Sequence, residues 1–442
     1  MKSFRQFIVL AVLLACPLAW GAPVLLISID GLRPDYLTHA DEHGLKIPNL
    51  RRLIKEGVYA EGVTGVAPTV TYPSHTTLVT GVSPAKHGIL ANTTFDPTNE
   101  NMAGWYWYAS AIKVPTLWQA ANDAGMVTAS LNWPVTVGAK GIRYLVPEYW
   151  RAHTPEDRKL LEALSRPDGL LDELESKLGL YTNGNETTIE GDEVRTRFTI
   201  EILKTRKPAF MTLHLTALDE MQHETTPFSA ASNQTLEMLD GMIARLIATA
   251  VGNDPEAVVA VVSDHGFART DVRVNLMIPF VEEKLVGTKN WDAAPWPAGA
   301  GVAIILRNPG DQAVKIRVKA MLDRIAVKPE YGIARILEST EIQKMGAFPD
   351  AAYFVELKPG YSLGTALSGP VVSPAPGTGA HGYLPDRPEM RASFFLLGHS
   401  VANGKNVGLI DMRQIAPTLA AILGVKLPLA DLPAIDVKPS SR

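Results

Sequence analysis

Cysteine is almost absent from this chain. Cys16 is the only one in 442 residues, and it falls inside an apolar N-terminal run. That leaves no disulfide framework, so the fold must rest on a large buried core, which this length permits. Basic residues are not in surplus either. The formal net charge is −4, which offers no electrostatic footprint for phosphate backbones and excludes nucleic-acid duplexes as expected partners. Internal repeats and long low-complexity stretches are missing. No segment after the N-terminus is apolar for long enough to span a bilayer, so no transmembrane segment is expected.

The N-terminus has the plan of a secretory signal. Lys2 and Arg5 precede the apolar run Phe7 to Leu14, and small residues follow at Ala19 and Gly21. Residues 1–21 are therefore expected to be removed, leaving an exported protein, periplasmic or secreted. Leu13-Leu14-Ala15-Cys16 loosely resembles a bacterial lipoprotein cleavage box. Anchoring through Cys16 is the lesser alternative, because Leu14 is bulky for that position.

Apolar strands alternate with helical patterns through most of the chain. Val24–Ile29, Met126–Asn132, Ala209–Leu215, Ala257–Val262 and Met390–Leu397 read as strands. Ile47–Glu56, Pro115–Gly125, Glu193–Lys204, Thr235–Val251 and Asp411–Leu423 read as helices, with Gly57 and Gly424 as C-caps. Arg151–Gly179 reads as a charged helical surface insertion. The fold class expected is α/β, a doubly wound and mainly parallel sheet with helices on both faces. Residues 22–442 are expected to form one catalytic domain, with a small α+β insertion within about 275–377 that carries no chemistry of its own.

Chemistry concentrates at strand ends. Val24–Ile29 runs into Asp30-Gly31. Asp219 and His223 lie four apart on a helical turn, where both can reach one metal ion. Ala257–Val262 runs into Ser263-Asp264-His265-Gly266, and Gly266 is expected to allow the turn that lets Asp264 and His265 converge. His381 lies in a glycine-rich loop. Strand ends in such a sheet share one rim, so these side chains can meet. Between Ala67 and Gly81 a hydroxyl-rich segment leads into a helix expected over Ser74–Val79, at whose N-terminus an oxyanion or phosphate is stabilised. Thr69 and Thr71 are both candidate nucleophiles there. Asn92 is a candidate amide donor to an oxyanion. His87 reads as structural, and the run Trp105-Tyr106-Trp107-Tyr108 as either a stacking surface or a core cluster. Six carboxylate and imidazole ligands are too many for one tetrahedral zinc and divide into two sites. Paired metals about 3.5–4 Å apart stabilise in-line displacement at phosphorus, and a metal makes a threonine hydroxyl an effective nucleophile.

The blocks Ile29-Asp30-Gly31, Pro68-Thr69-Val70-Thr71-Tyr72-Pro73-Ser74-His75, His87-Gly88-Ile89 with Asn92, Trp133-Pro134, Asp219 with His223, Ser263-Asp264-His265-Gly266 and His381-Gly382-Tyr383 occur in one order. In these blocks the chain resembles the nucleotide pyrophosphatase/phosphodiesterase family of the alkaline phosphatase superfamily, over nearly its whole mature length. The resemblance implies that Thr71 is the nucleophile, through a phospho-threonine intermediate. It implies one zinc on Asp219, His223 and His381, and a second on Asp30, Asp264, His265 and Thr71. It implies that Asn92 binds a non-bridging phosphate oxygen, and that Tyr72 and Trp105 lie on the leaving-group side. The substrate implied is a small phosphodiester or nucleotide. Val70 and Ser74 depart from the Lys and Asn of the family's animal nucleotide-cleaving members, which leaves the ligands intact and bears on substrate preference.

Three other readings are weaker. A phosphomonoesterase on the same scaffold needs extra Arg or Lys for the doubly charged terminal phosphate, and none stands beside Thr71 or Asn92. A sulfatase with an oxidised cysteine nucleophile is disfavoured, with only Cys16 present. A catalytically inactive secreted binding protein would have lost a ligand or the nucleophile, and none is missing.

Overall fold

The strand Val24–Ile29 is buried at every position, as its run of Val, Leu and Ile requires. In the computed structural model, described for residues 21–101, 104–151, 153–182 and 187–439, it sits inside an eight-stranded sheet. The strand order is Lys405–Asn406, Val58–Tyr59, Phe394–Leu397, Val258–Val262, Val24–Ile29, Phe210–Leu215, Thr128–Leu131 and Tyr144–Val146. The five strands from Val258–Val262 to Tyr144–Val146 are mutually parallel, and Phe394–Leu397 joins them antiparallel.

Period-two alternation divides the central strand between two cores. Leu25, Ile27 and Ile29 face one side, packed with Leu236, Leu239, Ile243 and Leu246 of the helix Ala230–Asn253 and with Phe198 and Ile202 of Ile189–Arg206. Val24 and Leu26 face the other, packed with Leu78 and Val79 of the helix Thr71–Thr80 and with Ile415 and Leu419 of Ile415–Leu423. Each such fully buried aliphatic side chain contributes about 1.5–3 kcal/mol. The doubly wound α/β architecture with helices on both faces is what the sequence pattern indicates.

The helix Thr71–Thr80 begins three residues earlier than the expected Ser74. Pro73 is no obstacle, because in the first turn its missing N–H has no intrahelical partner to lose. All ten residues are buried. Its threonines are weak helix formers, but Thr76 and Thr80 donate to the carbonyls four residues back, each at 2.8 Å. Gly57 also differs from expectation. It ends its helix in an extended conformation, φ −131°, and is needed because a Cβ would lie 2.0 Å from the Leu396 carbonyl oxygen.

Residues 293–357 build a separate four-stranded sheet, ordered Ile333–Glu338, Ala351–Leu357, Gly301–Leu306, Ala293–Ala298. The strands Ala268–Val274 and Val372–Ala380 pair antiparallel with Ala268 opposite Ala380. That register places residue 265, before one strand, beside residue 381, after the other. The expected secretory signal and Cys16 lie outside the described residues, apart from Gly21, whose N–H donates to the Leu423 carbonyl.

Candidate active site

The six expected ligands gather into two groups, Asp30 with Asp264 and His265, and Asp219 with His223 and His381. Asp30 follows its strand directly, and Gly31 N–H fixes Asp264 through Oδ1 at 3.1 Å. His265 Nε2 lies 3.4 Å from Asp30 Oδ1 and 3.1 Å from Asp264 Oδ2. In the second group, His223 Nε2 lies 3.4 Å from Asp219 Oδ2 on the helix Ala217–Thr225, and His381 Nε2 3.9 Å from Asp219 Oδ1. The rings of His265 and His381 stack at 3.7 Å, so the two groups share a wall. The first group is wholly buried, whereas His223 is 38% exposed at the mouth. Gly266 serves differently from expectation. A Cβ there would lie 2.0 Å from the Glu389 carbonyl oxygen, so it permits close backbone approach.

All three ligand histidines place Nδ1 on a backbone carbonyl: His265 on Gly266, His381 on Thr69 and His223 on Gly379, each at 3.0 Å. A carbonyl only accepts, so Nδ1 carries the proton. In the neutral ring Nε2 is then a bare lone pair. Burial holds His265 well below the ordinary imidazole value and His381 down to about 4, so both are neutral. Their lone pairs face carboxylates: Asp30 Oδ1, Asp219 Oδ1, Asp264 Oδ2 and His265 Nε2 are buried and make no hydrogen bond. Even the 3.1 Å approach of His265 to Asp264 lacks hydrogen-bond geometry. Burial, with Asp219 and Asp264 adding, pushes Asp30 well above the carboxylate range. Burial pushes Asp264 up to about 7, with Asp219 adding and His214 opposing. Converging acceptors with no donor among them are the donor set of a divalent cation, and mixed N/O ligands in threes suit zinc.

Thr71 and Thr69 differ in what their hydroxyls do. Thr69 Oγ1 donates to the Tyr383 carbonyl at 2.7 Å and accepts from Gly382 N–H at 3.1 Å, while its carbonyl holds His381. Thr71 opens its helix, 8% exposed. Its carbonyl accepts from His75 Nδ1 at 2.8 Å, and the same nitrogen lies 3.5 Å from Asp264 Oδ2. Asn92 Oδ1 accepts Tyr72 N–H at 2.9 Å, which leaves the amide Nδ2 as the free donor. Tyr72 is fully buried, its ring edge-on to Trp105 at 5.1 Å and its hydroxyl on Glu148 at 2.8 Å. Trp105 is half-buried and packs against Trp107 and Trp150. Val70 is buried among Ala67, Ala91 and Trp296, and Ser74 is fully buried, so neither departure presents an exposed side chain. His87 is structural, on Thr77 Oγ1 at 3.1 Å.

Three buried groups escaped the sequence reading. His214 lies between Asp30 and Glu148. Burial opposes its charge, but the hydrogen bonds and charges of those two carboxylates hold it up to about 10. His75 was noticed only as part of a block, and Glu148 not at all. The available signal was polar residues inside strands otherwise apolar, such as His214 in FMTLHL, which a buried strand tolerates only with partners.

A family model described as type I phosphodiesterase / nucleotide pyrophosphatase matches residues 24–356. The chain belongs to this family. It is similar to human ectonucleotide pyrophosphatase/phosphodiesterase family member 1, 26% identical over 242 residues, which cover 52% of this chain and 22% of that protein. It is similar also to mouse Bis(5'-adenosyl)-triphosphatase enpp4, 34% identical over 146 residues, 28% of this chain and 30% of that protein. Both matches span less than a third of the relative's own length. Among solved structures, human ectonucleotide pyrophosphatase/phosphodiesterase 5 shares the fold, with a TM-score of 0.65 at 18% identity over 95% of this chain and 97% of that one. So does an inactive threonine-to-alanine variant of the murine protein in complex with AMP, with a TM-score of 0.65 at 19% identity over 94% and 97%.

Proposed function

We propose that this chain is a zinc-dependent hydrolase of phosphodiester or pyrophosphate bonds in small nucleotide-type substrates, acting through a phospho-threonine at Thr71. The observation that carries the reading is the convergence of bare imidazole nitrogens and unpaired carboxylate oxygens in two groups of three. Asp219, His223 and His381 would hold one zinc ion, and Asp30, Asp264 and His265 the other, together with Thr71. Bound zinc supplies Lewis-acid charge that acidifies a hydroxyl and neutralises phosphate oxygens.

The remaining work falls to the chain. Thr71, at a helix N-terminus where negative charge is favoured, attacks phosphorus as the bond to the leaving oxygen breaks. Water then cleaves the phospho-threonine and restores the hydroxyl. Asn92 donates through Nδ2 to a non-bridging oxygen. Trp105 offers a face to the leaving group, and Tyr72, expected as a second such surface, supports it from beneath. The nucleotide preference draws support from the triphosphatase relative and from the AMP complex of the murine protein. Among the described residues no Lys or Arg pairs with the ligand carboxylates, which favours diesters over monoesters. The same reading takes residues 22–442 as one catalytic domain with an insertion near 275–377. It also takes the protein as exported, and no helix among the described residues is long and apolar enough to cross a membrane.

The test compares bis-p-nitrophenyl with mono-p-nitrophenyl phosphate. Faster diester hydrolysis, lost in Thr71→Ala by roughly 10³-fold or more, lost with a chelator and restored by zinc, is expected. A faster monoester reaction or an active Thr71→Ala variant would overturn it.

A further inference from the structure

We propose that His214 and Glu148 are positioning residues that hold Asp30 in its ligand orientation and tie it to the wall beside Thr71; the proposal rests on the two-metal reading above. His214 lies on the strand Phe210–Leu215, directly opposite Ser28 on the neighbouring strand, two residues before Asp30. Its side chain is 1% exposed. Nε2 sits 3.0 Å from Asp30 Oδ2 and Nδ1 3.1 Å from Glu148 Oε2. The other Glu148 oxygen accepts the Tyr72 hydroxyl at 2.8 Å, and Tyr72 N–H holds Asn92 Oδ1.

An aspartate can turn either oxygen toward a metal. In Asp30 the choice is made by His214, which engages Oδ2 and leaves Oδ1 unpaired and 3.4 Å from His265 Nε2. One continuous path thus runs Asp30, His214, Glu148, Tyr72, Asn92. The other group has no such side-chain partner: His223 and His381, like His265, lean on backbone carbonyls, and Asp219 Oδ1 has no hydrogen bond. Outer partners of metal ligands usually tune affinity by restricting the ligand's orientation. Loss of His214 should therefore weaken one site and spare the other, which a general role in packing would not do.

The experiment is a zinc competition titration with a chromophoric chelator, requiring no turnover. His214→Gln is made in two backgrounds: Asp219→Asn, which keeps the Asp30 group, and Asp264→Asn, which keeps the Asp219 group. The expected result is a loss of about 10–100-fold in zinc affinity in the first background and no change in the second. Equal losses in both backgrounds, or none in either, would overturn the relay. Glu148→Gln keeps the size of the side chain and should show a smaller loss at the same site, so it decides the matter alone if His214→Gln does not fold. A wild-type protein that binds no zinc sinks the two-metal reading and the relay together. A wild-type protein that binds two ions, with variants that match it, sinks the relay only.

Discussion

Thr69 and Thr71 carry the same side chain two residues apart, and their surroundings give them opposite work. The Thr69 hydroxyl is spent on the backbone at Gly382 and Tyr383, next to His381. Thr69→Val should therefore cost about 1–3 kcal/mol of stability, the usual cost of leaving buried partners unsatisfied, while retaining a phospho-threonine intermediate. Urea unfolding with intact-mass detection of the trapped phosphoprotein checks both halves, and loss of the phosphorylated species would make Thr69 the nucleophile. His87 gives a second test at this scale. Burial holds it down to about 3, so between that value and the unfolded pKa near 6.5 the unfolded state binds more protons and stability falls as pH falls. From pH 7 to pH 5 this amounts to about 2 kcal/mol. Urea unfolding at pH 7 and pH 5 should show that loss in the wild type and a loss smaller by that amount in His87→Gln. Equal losses would remove His87 from the account. The six ligand residues were legible because each carries a local cue: a strand end, a helical i, i+4 spacing or a flanking glycine. Glu148 and His75 carry none, and His214 only the polar break in its apolar strand. Their partners lie 66, 47 and 184 positions away, and only the packing of the sheet with the helix Thr71–Thr80 and the segment after Tyr144–Val146 brings them together.

At the scale of elements, helices and strands were readable from periodicity, and their exact joints were not. The helix Thr71–Thr80 starts early because proline suits a first turn. Gly57 and Gly266 are glycines for reasons of distant backbone, the carbonyls of Leu396 and Glu389, which no local pattern reveals. The helix bearing Asp219 and His223 shows the same dependence on a remote partner. Its first N–H groups, of Thr216 and Ala217, donate to Asp192 at 3.1 and 2.9 Å, and Asp192 is ion-paired with the buried Arg195 at 2.6 Å. Asp192→Asn keeps the shape and removes the buried charge that faces the Arg195 guanidinium. The expected cost is about 3–5 kcal/mol, seen as a lower urea midpoint with an unchanged slope. A cost below about 1 kcal/mol, the level of an exposed pair, would show that the pair is dispensable.

For the whole molecule, the sheet delivers Asp30 and Asp264 from neighbouring parallel strands, and the antiparallel ribbon delivers His381 from more than a hundred residues beyond His265. Each metal group therefore joins distant parts of the chain. Asp219 raises the proton affinity of both Asp30 and Asp264, and these carboxylates sit against bare imidazole nitrogens. A ligand that binds only the folded state stabilises it by about 2.7 kcal/mol at a free concentration of 100 Kd. Two zinc ions at that level should add roughly 5 kcal/mol to the unfolding free energy. The increment should disappear on chelation and return with zinc. Asp219→Asn and Asp264→Asn, each sparing one group, should each keep about half of it. Urea unfolding across a series of buffered zinc concentrations measures this directly. A wild-type stability that does not move with free zinc would mean that the two groups do not form the ion sites their geometry describes. A full increment surviving in either variant would mean that a single ion bridges them.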